Sequence, residues 1–120
     1  MTRKSLESLE LNVIYKSIIK ETVTNALNLN LNYLTKIILF GSCARNEIKL
    51  GSDIDLMYIT NKKLNDVKER TLLYGTDPLD KIDVDIVIYT EEELARKENK
   101  FTDFIHRDGI IIWESGECNE

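Results

Sequence analysis

The sequence predicts an α+β fold: a mixed β-sheet of about four strands with helices packed on it in two layers. Three observations carry this. Segments with helical spacing alternate with short strands rich in β-branched residues. The link between the first two long strands, residues 41–52, is short, which is compatible with antiparallel or mixed pairing. No internal repeat, low-complexity segment or Pro/Gly-rich linker interrupts the pattern, so 1–120 reads as one domain.

Taken in order, Leu11, Ile14, Tyr15, Ile18, Thr22 and Ala26 recur at intervals of three and four and predict one face of a first helix. Alternating Asn and Leu over 28–33 predict a connection. Lys36 to Phe40 reads as a buried strand stopped at Gly41, and Cys43 to Ile48 as one or two helical turns broken by Gly51-Ser52. From Asp53 to Thr60, Ile54, Leu56 and Tyr58 face one way, and Asp53, Asp55 and Met57 the other. Leu64, Val67, Thr71 and Tyr74 fit a helix, and 75–78 a loop. Ile82 to Thr90 is the most regular strand, with Asp83, Asp85 and Val87 opposite Ile82, Val84, Ile86 and Ile88. Thr90-Glu91-Glu92-Glu93 is a capping box that opens a helix through Leu94, Phe101 and Ile105 to Gly109. Ile110 to Glu114 predicts a last strand, and the tail after about 115 is expected to fray.

Composition removes options more than it selects one. With 120 residues, 42% of them hydrophobic and 31% charged, the chain has the makings of a folded core. The net charge of −5 argues against strong phosphate-backbone binding of nucleic acid. No apolar run exceeds four residues, so no membrane span is expected. The N-terminus has no secretory pattern, and Cys43 and Cys118 have neither zinc-ligand spacing nor a disulfide framework. A cytoplasmic home is the expectation.

Three features need explaining together. Gly41-Ser42 directly follows a buried strand, with Arg45 shortly after. Asp53-Ile54-Asp55 and Asp83-Val84-Asp85 each put two carboxylates on one side of a strand. Alone, each has an ordinary explanation, namely a turn, a surface arginine and two solvated strand faces. Asp is nevertheless disfavoured in strands, and four of them in two strands are a concentration. Carboxylates at i and i+2 lie about 6–7 Å apart at Cβ and repel. A divalent cation relieves that repulsion, and hard oxygen ligands suit Mg²⁺. With a third Asp from a neighbouring strand, two ions can be clamped for in-line displacement at phosphorus. The glycine admits a close phosphate, which backbone N–H groups and the Ser42 hydroxyl can cradle. Arg45 can pair with a phosphate or brace the carboxylates.

The stretch Gly41-Ser42-Cys43-Ala44-Arg45, followed by Ser52-Asp53-Ile54-Asp55-Leu56, resembles the signature of the nucleotidyltransferase superfamily that includes DNA polymerase beta. The resemblance covers about 35–113 and is greatest to the minimal nucleotidyltransferases. It implies that Asp53, Asp55 and a third carboxylate hold two Mg²⁺ ions, and that Gly41 and Ser42 contact the triphosphate of an NTP, expected to be ATP. Arg45 and Ser52 match positions commonly kept in minimal members. The third carboxylate matches Asp85 in Val84-Asp85-Ile86-Val87, with Asp83 on the same face as its rival. Minimal members commonly act on a separate helical HEPN-type protein, as antitoxins that add AMP to a toxin, so such a partner is expected. Other readings are a small-molecule transferase of the aminoglycoside type and a binding protein without chemistry.

The remaining candidates have ordinary readings. Cys43, where relatives often carry a polar residue, reads as a packing residue, and nothing nearby in sequence lowers its pKa. His106 reads as a capping or surface residue. Trp113 reads as packing the sheet or a homodimer interface. Glu91 to Glu93 belong to a helix N-terminus.

Overall fold

The computed structural model describes residues 1–45, 47, 52–64, 68, 82–96 and 99–115. The expected helix around 64–74, the loop at 75–78, the Gly51 break and the tail beyond 115 lie wholly or largely outside these residues.

Five strands form one mixed sheet: β1 (Thr2–Arg3), β2 (Leu34–Phe40), β3 (Ile54–Thr60), β4 (Val84–Thr90) and β5 (Ile110–Glu114), in the order β1-β5-β2-β3-β4. β2 runs antiparallel to β3 and β5, while β3 and β4 are parallel. The short connection after β2 accounts for the antiparallel pairing, and the long stretch 61–83 gives the chain length for a parallel return. β1 has no counterpart in the sequence reading. It is two exposed residues without an apolar pattern, held by backbone bonds from Thr2 N–H to the Gly109 carbonyl and from Lys4 N–H to the Ile111 carbonyl, both at 3.1 Å. An Arg3–Glu114 ion pair at 2.6 Å adds to this.

The alternation expected in β3 and β4 holds. Ile54, Leu56 and Tyr58 join Ile37 and Leu39 in a buried cluster with the first helix, α1 (Val13–Leu27), and Ile82, Val84, Ile86 and Ile88 pack against it. Ile38, Met57 and Ile59 occupy the other face. There they meet Leu94 of α2 (Glu91–Arg96) and Ile105 of α3 (Lys100–Asp108). Helices thus flank both faces of the sheet. Trp113 is partly buried against the α1-side cluster.

Two helix details differ from expectation. The buried stripe of α1 is Tyr15, Ile18, Ile19, Val23 and Ala26, whereas Ile14 is 60% exposed. The helix begins later than Leu11, and Asn12 caps it by accepting a hydrogen bond from the Ile14 N–H. Ile19 and Val23 fit the same stripe once the face is centred on Tyr15. The helix expected from Glu91 to Gly109 is two helices. α2 starts with the foreseen capping box, in which Thr90 N–H donates to Glu93 and Glu93 N–H donates to Thr90 Oγ1, both at 3.0 Å. Asn99 starts α3 afresh, its side chain accepting from the Thr102 N–H at 2.9 Å. His106 is more than a surface residue: it is half-buried, with its Nε2 2.8 Å from the Leu94 carbonyl, and so ties α3 to α2.

Candidate functional site

The site is built where the C-terminal end of β2 meets the N-terminal ends of β3 and β4. β2 finishes at Phe40, and Gly41 takes a φ of +74°, a left-handed conformation natural to glycine. The residue after it turns sharply. Ala44 and Arg45 N–H both donate to the Gly41 carbonyl, at 3.1 and 3.2 Å, and Glu47 N–H donates to the Ser42 carbonyl at 2.9 Å. The described part of 43–48 is hydrogen-bonded turn, in keeping with the one or two turns expected there.

Gly41 has a second reason to lack a side chain. A Cβ there would lie 2.2 Å from Oδ2 of Asp55. The close approach follows from register, since Phe40 is opposite Asp55 in the β2–β3 pair. In the β3–β4 pair, Asp55 stands opposite Asp85. Neighbouring strands lie about 4.8 Å apart, so these two carboxylates share one small region.

Asp53 and Asp83 immediately precede their strands and are exposed. The Asp83 carbonyl accepts the Ile54 N–H at 2.9 Å, which locks the entries of the two strands together. Asp55 alone of the four is half-buried, and its carboxyl is held above the usual carboxylate range. The causes are burial first, then the charge of Asp85, then that of Asp53, with Arg45 acting in the opposite sense. Geometry and charge thus group Asp53, Asp55 and Asp85, with Asp83 at the margin. Arg45 is exposed and also pairs with Glu47, Nε to Oε2 at 3.1 Å.

Two buried side chains support the Asp53 segment from behind. Tyr15 of α1 donates its hydroxyl to the Ser52 carbonyl at 2.9 Å. The Cys43 thiol lies 3.7 Å from the Asp53 carbonyl, a weak contact at most. Burial, and then the charge of Asp55, push that thiol up to about 11, so it is a packing residue and not a nucleophile at neutral pH. Tyr15 was legible in the sequence only as a core residue. The available signal was that a buried tyrosine hydroxyl needs a partner. Ser42 and Ser52 flank the group and are both half-buried.

The donor set tests well against a hard divalent cation. It is all carboxylate, and Asp55 carries a repulsion that a cation would relieve. Among the described residues, no three His, Cys, Asp or Glu side chains are gathered tightly enough to hold a metal ion by themselves. A divalent cation at these carboxylates would need further oxygens, from substrate phosphates or water, to complete its shell.

Comparisons with known proteins bear on the family and on the fold. The family described as "Nucleotidyltransferase domain" matches residues 19–112, a span that includes these carboxylates. Among solved structures, a crystal structure from Sulfolobus solfataricus, whose own assignment as a nucleotidyltransferase is provisional, superposes with a TM-score of 0.59. It is 22% identical, and the match covers 84% of this chain and 81% of that one, which bears on the fold alone. No curated protein matches the chain.

Proposed function

Since the chain belongs to the nucleotidyltransferase domain family, we propose that it transfers a nucleoside monophosphate from an NTP to an acceptor, with Asp53, Asp55 and Asp85 as its catalytic carboxylates. The observation that carries this reading is the half-buried Asp55, set in register with Asp85, near Asp53 and against the glycine turn.

In the proposed reaction an acceptor oxygen attacks the α-phosphorus. The new phosphorus–oxygen bond forms as the bond to the β-phosphate bridging oxygen breaks, and pyrophosphate leaves. Bound Mg²⁺ supplies charge neutralisation and orientation of the phosphates. Asp53, Asp55 and Asp85 hold it, and Asp85 helps to take the proton from the acceptor hydroxyl. The Ala44 and Arg45 amides are committed to the Gly41 carbonyl. Phosphate contact therefore falls to the backbone around Gly41 and Ser42, the Ser42 hydroxyl and the Arg45 guanidinium. Tyr15 keeps Ser52 and Asp53 in place while charge builds. Catalysis comes from positioning and electrostatics, with no covalent intermediate on the chain.

The finer reading is that ATP is the donor and a HEPN-type helical protein the acceptor, the pair working in the cytoplasm as antitoxin and toxin. Its support is the resemblance of the Gly41–Arg45 and Ser52–Leu56 stretches to minimal nucleotidyltransferases. No helix among the described residues is long and apolar enough to cross a membrane. The test is to incubate the chain with each of four α-labelled NTPs, Mg²⁺ and a HEPN-type protein encoded beside it. Label on that protein, greatest with ATP, supports the reading. Tight association of the two proteins without label, unchanged in Asp55→Asn, points to a neutralising partner without chemistry.

A further inference from the structure

Beside the glycine turn, on the face of the sheet that carries α3, is a cleft of about 370 Å³. Phe40, Gly41 and Arg45 form one side of it, and Phe101, Phe104 and Arg107 of α3 the other. The two sides differ in rigidity. Phe101 is fixed edge-to-face against Phe40 at 5.5 Å and against Tyr89 at 5.8 Å between ring centroids. Phe104, one turn further along α3, is 49% exposed. The Arg107 guanidinium lies 4.7 Å from the Phe104 ring centre and 3.4 Å from the Asp108 carboxylate. Residues 101, 104 and 107 thus make a stripe along α3, aromatic at its start and cationic at its end.

A single exposed phenylalanine on a helix is ordinary. Phe104 is set apart by sharing a cleft with Gly41 and Arg45, the candidate phosphate contacts. A ligand anchored at that turn by phosphates and extending into the cleft must present a planar, apolar body with a polar rim. Such a body gains from an aromatic face and from a guanidinium plane. The space is of the size that small-molecule sites occupy.

We propose that this cleft receives the nucleobase of the NTP, stacked against the Phe104–Arg107 pair, in which the guanidinium already lies over the ring. The inference rests on the nucleotidyl-transfer reading and adds to it the surface that recognises the base. Phosphate contacts hold any nucleotide equally, so base preference is set on α3.

The test measures binding of ATP, GTP, CTP, UTP and inorganic tripolyphosphate, each with Mg²⁺, to the wild-type chain and to Phe104→Ala. Phe104 is half exposed, so its truncation leaves the fold intact, as a melting curve verifies. Stacking of a base on an aromatic side chain predicts about tenfold weaker binding of the preferred NTP by the variant. Tripolyphosphate, which has no base, should bind both proteins alike. Equal NTP affinities in the two proteins would overturn the assignment, as would parallel losses for NTP and tripolyphosphate. Slower transfer with unchanged NTP affinity would also overturn it, by giving the cleft to the acceptor instead. If the wild-type chain binds neither NTP nor tripolyphosphate, the nucleotidyl-transfer reading itself falls and the cleft assignment with it. NTP-dependent transfer that Phe104→Ala leaves untouched sinks only the cleft.

Discussion

Gly41→Ala is the substitution whose consequences the geometry states most fully. Two separate penalties meet at this position. The φ of +74° costs an L-residue about 1–2 kcal/mol. The added methyl would lie 2.2 Å from Oδ2 of Asp55, where ordinary contact begins at 3.4 Å, so the carboxylate must retreat by about 1 Å. A displacement of that size at a reacting centre costs about a hundredfold in rate. The variant should therefore melt roughly 4–10 °C below wild type, and lose transfer of α-labelled NTP by about two orders of magnitude. Gly41→Asn separates the two penalties. Asn tolerates the left-handed region but brings the same Cβ, so it should regain part of the stability and none of the transfer. Scanning calorimetry and a label-transfer assay on the three proteins decide the matter. Gly41→Ala with wild-type transfer would show that the close approach to Asp55 has no bearing on the chemistry.

Other expectations follow from the same site. Asp55 binds its proton more tightly in the folded chain than in the unfolded one, so its ionisation destabilises the fold. The cost is absent below the unfolded pKa near 4, builds as pH rises from there and is complete above the folded pKa. Asp55→Asn should raise the melting temperature at pH 7 without added cation, lose that advantage near pH 3, and abolish transfer. Melting curves at the two pH values check the sign, and a lower melting point at pH 7 would contradict it. Tyr15→Phe removes the part-buried hydrogen bond to the Ser52 carbonyl, at a cost of about 1 kcal/mol. Its kcat should fall more than its NTP affinity, because the bond positions Asp53 and does not touch substrate. Cys43, in a Cys118→Ser background, should resist thiol reagents at pH 8 until the chain unfolds, and Cys43→Ala should retain transfer, since the buried thiol takes no part in it.

Much of the fold was legible because period-two alternation is a strong signal where one sheet face is acidic. The Asp-x-Asp pairs made the faces of β3 and β4 unambiguous, and both packed as read. The Thr90–Glu93 box was equally plain, since its two hydrogen bonds are local. The features without a local signal depend on distant partners. β1 is two polar residues that become a strand only by pairing with β5. The break before α3 turns on Asn99, which looks unremarkable until its side chain caps Thr102. The apolar spacing of Leu11 and Ile14 runs past the start of α1, which Asn12 caps between them. At the site, the sequence placed the carboxylates on their strands but left Asp85 and Asp83 as rivals. Register sets Asp85 opposite Asp55, whereas Asp83 precedes its strand, and this register depends on strand pairing that no local pattern shows. Tyr15 and the α3 stripe were invisible as site residues, being far from the Gly-Ser and Asp-x-Asp segments in sequence.

The most direct test of the central claim compares α-labelled with γ-labelled ATP, using the wild-type chain, the proposed HEPN-type acceptor and four single variants. Nucleotidyl transfer predicts label on the acceptor from α-labelled ATP only, with the γ-label leaving in pyrophosphate. Asp53→Asn, Asp55→Asn and Asp85→Asn should each abolish that labelling, and Asp83→Asn should keep most of it. Acceptor labelled from the γ-position, or full labelling by Asp55→Asn, would contradict the account.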